Sequence, residues 1–281
     1  MATLEKAIAA LGKEAGLDSH FIPEIAWSFL TEKGNADAGQ YNPLDFIDKL
    51  PVVEPWGPYL FHPFTKPYEY QTGIHLITYS AARDIQEFIA KNVKTPANRP
   101  QLIAFPHGMQ CDEWVTEPEA LAFEYLCFFL HRWNGALAYY FPRGYDARYW
   151  NALAKANTLI ADYEEYVFKG RPNNDFSSKT ETPVPAVNVP KYWSEGGDFA
   201  SKLPGLKSDP AIVQGVGYER DGKRLFALGN FWQKGDAFVR LAITGLAQDQ
   251  TYVLRQPQMN CHFANANGDP DIKDNNGFIT K

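Results

Sequence analysis

The sequence predicts a mixed α/β chain in two parts, an alternating β/α region over residues 1–170 and an all-β region within residues 171–281. Three observations carry that expectation. In the first part, short apolar runs bounded by Pro, Gly and Asn alternate with longer stretches of helical periodicity. In the second, short β-type runs follow one another with turn residues between them. Separating the two, residues 171–209 are rich in Pro, Asn, Ser and Thr, as a linker would be.

Residues 4–15 read as an amphipathic helix, with Leu4, Ile8, Ala9 and Leu11 at helical spacing and Gly16 to stop it. Residues 20–27 (HFIPEIAW) read as a short extended segment, and the polar residues 31–41 as a loop. Asn42-Pro43 opens a short helix through Leu50, with Asn as cap and Pro at the first helical position. Residues 51–56 (PVVEPW) are the second extended segment, and residues 57–72, with Pro58, Pro63 and Pro67, a long irregular loop. A helix over 74–92 follows, carrying Ile77, Ala81, Ile85, Phe88 and Ile89 on one stripe. Residues 101–105 (QLIAF) form a strand and 106–116 a polar loop. Glu117-Pro118-Glu119 begins an apolar helix that ends near Asn134-Gly135. A strand over 136–141 (ALAYYF), a turn at Arg143-Gly144-Tyr145-Asp146 and a helix over 147–168 complete the region.

Strands alternating with helices of this length require crossover connections, and therefore parallel strands. The count is four β/α units, half of the eight in a closed (β/α)8 barrel of about 250 residues. The expected architecture is thus a half (TIM-like) barrel followed by a sandwich-like domain. In the second part, residues 212–219, 224–230, 237–243 and 251–256 read as strands, and residues 184–189 as one further extended segment. Asp221-Gly222 marks a hairpin turn. Short strands at this spacing fit a β-sandwich. The polar, Asn- and Asp-rich tail from 260 to 281 offers no evident closing strand.

Composition narrows the function. The net charge is −6 and no basic run tracks phosphates, so nucleic-acid binding is not expected. No stretch reaches the roughly 20 apolar residues of a membrane helix, and a membrane partner is not expected. Met1-Ala2-Thr3-Leu4-Glu5-Lys6 leads directly into a helix, with no signal peptide in this chain. Aromatic residues reach 15%, with 7 Trp, 15 Tyr and 19 Phe, which favours sugar binding slightly, because a pyranose needs flat apolar faces beside hydrogen-bonding groups. Cys111, Cys127 and Cys261 are odd in number and widely spaced, excluding a disulfide scaffold, and Cys127 reads as packing in an apolar helix. Neither CxxC nor HExxH occurs, so no metal and no cofactor is expected. The GxSxG elbow of serine hydrolases and the glycine loops of nucleotide sites are also missing.

Residues 99–170 carry a recognisable order of features: a strand after Arg99-Pro100, a polar loop, a helix opened by Glu117-Pro118-Glu119, then Trp133-Asn134-Gly135 and the strand to Phe141, then a helix with Tyr149-Trp150, Leu153 and Asn157. This order resembles the last two β/α units of TIM-barrel glycoside hydrolases that carry a C-terminal β-sandwich. LFALGNFWQKGDAFVRLAITGL downstream resembles the strand pattern of their appended sandwich. The resemblance spans residues 45–256 and is one of architecture and spacing. It implies a carbohydrate substrate, and a site outside the cell or in the periplasm if the substrate is polysaccharide. The Asn-Glu pair that ends the fourth strand in many retaining enzymes of this kind is missing, as is the first half of the barrel. Either the chain is a fragment, or the half-barrel completes itself with another copy; a homo-oligomer is expected.

Glycoside hydrolysis needs two carboxyl groups flanking the scissile bond, gathered at the C-terminal ends of barrel strands. Glu24 in IPEIAW and Glu54 in VVEPW meet that requirement best, each placed shortly before a tryptophan, Trp27 or Trp56, that could form a sugar platform. The blander alternative is a pair of solvated carboxylates or partners of nearby cations. Asp112 and Glu113 in the loop HGMQCDEW are further candidate acids, although carboxylates ahead of a helix also complement its dipole. His107, Gln110 and Trp114 in that loop, with Tyr59 and Tyr140, are candidate substrate contacts. Phe128, Phe129, Leu130 and Trp133 read as core, and an Arg143–Asp146 pair as structural. The leading expectation is a glycoside hydrolase acting on a polysaccharide or oligosaccharide through an acid/base pair. A non-catalytic carbohydrate-binding protein and an assembly module are the alternatives.

Overall fold

The computed structural model describes residues 2–17, 22, 24–26, 42–56, 68–104, 106, 117–137, 146–180, 213–231, 239–255 and 276–280. Among these residues the chain is mixed α/β, with one parallel sheet and three antiparallel pieces.

The parallel sheet holds four strands in sequential order: β1 (Glu24–Ala26), β2 (Val52–Trp56), β3 (Gln101–Ala104) and β4 (Gly135–Ala136). Every neighbouring pair is parallel. The helices between them are α2 (Tyr68–Asn92) and α3 (Pro118–Leu130), preceded by α1 (Ala2–Glu14) and followed by α4 (Ala147–Glu164). Alternation along the strands decides which side the helices cover. Ile25, Val53, Leu102 and Ala104 lie in one buried cluster with Ala82, Ile85, Phe88 and Ile89 of α2 and Phe128 of α3. Burying each large side chain of that kind contributes about 1.5–3 kcal/mol, so this layer is the main apolar core of the first region.

Polar groups pin the layer at its turns. Arg99 donates from Nε to the Val93 carbonyl at 3.0 Å and from a terminal nitrogen to that of Ala90 at 3.0 Å, satisfying carbonyls that the end of α2 leaves open. Trp133 is buried, and its Nε1 donates 3.0 Å to the Ala82 carbonyl. The Asn134 side-chain oxygen accepts from Leu102 N at 3.1 Å, while its own N donates to Leu102 O at 2.7 Å, tying the end of α3 to β3.

Local details depart from the sequence expectation in instructive ways. Asn42 caps as expected, its Oδ1 accepting from Leu44 N at 2.9 Å, but two 3-10 turns, Pro43–Asp45 and Ile47–Lys49, replace one helix. Helix α2 begins at Tyr68, inside the stretch read as a loop, because Pro67 is the last proline and nothing after it breaks the helix. Helix α4 passes into a π turn over Glu165–Lys169. In α1 the stripe does not face a core, since Leu4 and Leu11 are exposed while Glu5 is buried.

The second region contains β5 (Arg171–Pro172), β6 (Phe176–Thr180), β7 (Val213–Arg220), β8 (Lys223–Asn230), β9 (Val239–Ile243), β10 (Thr251–Arg255) and β11 (Asn276–Thr280). They pair as β5-β7-β8, β6-β9 and β10-β11. Asp221 and Gly222 take φ of 51° and 71°, the left-handed pair that a two-residue hairpin needs. Two strands, β5 and β6, lie in the stretch read as a linker, and β11 closes on β10 in a tail that offered no strand pattern. Backbone pairing overrides weak side-chain propensity in both places. Residues 184–189 lie outside the described residues. Glycine makes the packing of β6 on β7 possible: a Cβ on Gly217 would sit 2.2 Å from the Asn173 carbonyl oxygen, and one on Gly215 would meet the Phe176 ring at 2.8 Å.

The two regions meet along an aromatic seam. Phe129, Val167 and Tyr218 form a buried cluster, and the Tyr218 hydroxyl donates to the Leu130 carbonyl. Phe231, just after β8, is edge-on to Tyr79 of α2 at 5.5 Å and to Phe123 of α3 at 5.0 Å. Arg132, at φ 65°, lies 5.1 Å over the Tyr218 ring and donates 2.8 Å to the Gly170 carbonyl.

Candidate functional site

Two of the four candidate acids, Glu24 and Glu54, occupy positions in the parallel sheet. Glu24 and Glu54 are direct partners in the β1–β2 register, followed two residues on by the pair Ala26 and Trp56. Partners in a parallel pair share a face, and neighbouring strands lie about 4.8 Å apart. The two glutamate positions are therefore adjacent on one side of the sheet. Sequence cannot supply that, because register depends on pairing.

Their place along the strands differs from expectation. Glu54 is central in β2, and Glu24 opens β1 instead of closing it. Because Val53 pairs with Leu102, continuing the register sets Glu54 level with Ile103, the penultimate residue of β3. Ile103 in turn pairs with Gly135, and a Cβ at Gly135 would meet the Ile103 Cδ1 at 3.1 Å. The row Glu24, Glu54, Ile103, Gly135 thus runs across the sheet, two residues before the strand end in β1 and β2 and one residue before it in β3 and β4, with two acid positions at one end and small or apolar residues at the other. Glu54 is 5% exposed. A buried carboxyl at this position is costly unless it is used or satisfied, which separates it from the solvated carboxylate of the blander reading.

Trp27, Tyr59, His107, Gln110, Asp112, Glu113, Trp114 and Tyr140 lie outside the described residues, as does Arg143. Trp56 closes β2. Asp146 has a structural role: its Oδ1 accepts from Arg148 N at 2.8 Å as the cap of α4, and the Arg148 guanidinium pairs with it at 2.7 Å. Those bonds hold its carboxyl below the usual range. Phe128, Phe129 and Trp133 are buried and Leu130 half-buried, as expected of core. Cys127 is buried with a free thiol, and burial raises its pKa well above the ordinary value.

A second polar group escaped the sequence reading. Glu124 and His131 are buried at 1% and 7% exposure on the inner side of α3 and its cap. Glu124 lies in the helical stripe of Leu121 and Phe128, and that spacing was the available signal. Among the described residues no group of His, Cys, Asp and Glu could hold a metal ion, and no helix is long and apolar enough to cross a membrane. No family model, no curated protein and no solved structure matches the chain.

Proposed function

We propose that the protein is a glycoside hydrolase-like protein acting on a polysaccharide or oligosaccharide, with Glu24 and Glu54 as the carboxyl pair. The single observation that supports this reading is their registered placement on adjacent parallel strands, on the face turned away from the helices. The strands are about 4.8 Å apart, so glutamates at registered positions are near enough to serve as the two carboxyls that glycoside hydrolysis requires. Glu54 is buried, and burial disfavours the ionised form, which suits it to the acid role. Trp56 at the strand end would supply a stacking face for a sugar.

In this reading the sequential parallel strands with helices α2 and α3 on one side would be half of a (β/α)8 barrel, and the antiparallel pieces would form the appended sandwich. In that reading the outer edges of β1 and β4 seek partners, and a second copy of the chain supplies them. The test is reducing-sugar release across a panel of polysaccharides. Release of reducing sugar from at least one polysaccharide is expected. Quenching of tryptophan fluorescence by soluble glucans without any release would instead favour a carbohydrate-binding module.

A further inference from the structure

We propose that His131 makes the seam between α3 and the β7–β8 hairpin labile to acid, so that protonating its imidazole releases the hairpin while the parallel sheet stays folded. The proposal starts from position. His131 caps α3, its N donating to the carbonyls of Cys127 at 3.3 Å and Phe128 at 3.1 Å, so the backbone holds the ring at the seam. The ring is 7% exposed and meets the Tyr79 ring edge-on at 4.5 Å. Tyr79 in turn touches Phe231 at the end of β8, so the imidazole is two aromatic contacts from the hairpin. Its Nε2 is buried with no hydrogen-bond partner among the described residues. A neutral ring tolerates that position; an imidazolium there would carry a desolvated N–H with no acceptor.

The charged and titratable neighbours sharpen the point. From α2 come Tyr79 and the Arg83 cation, with Asp84 held by Arg83 at 2.8 Å. From α3 come Glu124 and Cys127, both buried. From the hairpin comes Tyr218, beneath Arg132. Burial first, and the Arg83 charge second, push the histidine down to about 3 from 6.5. The sign follows from proton counting: below pH 6.5 the opened form takes up a proton that the closed form refuses, so stability of the seam is complete above that pH and lost as pH falls toward 3. Glu165, paired with Lys169 in its own turn and with Arg220 across the seam, and Glu219, paired with Arg171 inside the β5-β7-β8 sheet, have depressed values and lose their contribution only at lower pH, as protons reach them below their ordinary 4.5.

Amide hydrogen exchange on the full chain between pH 7.5 and pH 5 tests this, after correction for intrinsic rates. Protection of strands 213–220 and 223–230 should fall about tenfold per pH unit below 6.5, while that of 101–104 holds. In His131→Phe, or His131→Gln if the first does not fold, the hairpin's protection should be flat over that range. A decline as steep in the variant as in the parent would overturn the proposal. So would an imidazole Cε1–H resonance of His131 in the folded parent titrating near 6.5, a measurement that needs no variant.

Discussion

The core beneath the parallel sheet and the seam against the hairpin are both buried, yet they are built differently. Beneath the sheet, aliphatic side chains from strands and helices interlock, and the polar groups admitted there, Trp133 Nε1 and the Asn134 amide, are each matched to a backbone partner. The seam is aromatic, crossed by one tyrosine hydroxyl bond and a cation over a ring, and it encloses a histidine whose Nε2 is unmatched among the described residues. Aliphatic interlocking resists opening from any side, because losing one contact leaves a cavity. Edge-on rings with a few polar pins open more readily, since each pin can be broken singly. The difference teaches where this fold is rigid and where it is conditional. The candidate acids sit on the rigid element.

Substitutions should expose that contrast. Trp133→Ala is expected to cost about 3–5 kcal/mol, the range for emptying a large aromatic site, and to lower the melting temperature of the whole chain. A loss below about 1 kcal/mol in denaturant titration would show that the sheet layer is not the main core. Tyr218→Phe should cost far less, about 1 kcal/mol for one hydrogen bond, and should act locally. Hydrogen exchange should then rise at strands 213–220 and 223–230 and remain unchanged at 101–104. Equal increases in both places would merge the two regions into one cooperative unit and erase the distinction.

How much of this was legible in the sequence follows from which forces act locally. The first three parallel strands and the helices between them announce themselves through periodicity and punctuation, and Asp221-Gly222 through a residue pair that accepts two left-handed conformations; β4, expected over 136–141, is Gly135–Ala136, with 138–141 outside the described residues. What stayed hidden depends on partners distant in the chain. Phe176–Thr180 and Asn276–Thr280 have no strand-like alternation, and they are strands because Val239–Ile243 and Thr251–Arg255 offer them backbone to pair with. The α1 stripe was legible as a pattern, but pattern does not guarantee burial, and Leu4 and Leu11 are exposed. For the site, residue type and proximity to tryptophan picked out Glu24 and Glu54, whereas their register could come only from the paired strands. Glu124 and His131 were missed because a polar residue on an apolar helix reads as surface until the packing is known.

Single-turnover hydrolysis of an oligosaccharide released from the responsive polysaccharide, by the parent, Glu54→Gln and Glu24→Gln, tests the central claim most directly, with a melting curve for each protein. An amide keeps the shape of a carboxyl but can neither donate nor accept the proton. Both variants are therefore expected to keep the parent's melting temperature within a few degrees and to lose about 10²-fold or more in rate. Variants that fold like the parent and hydrolyse as fast would contradict the assignment and move the chemistry to Asp112 or Glu113.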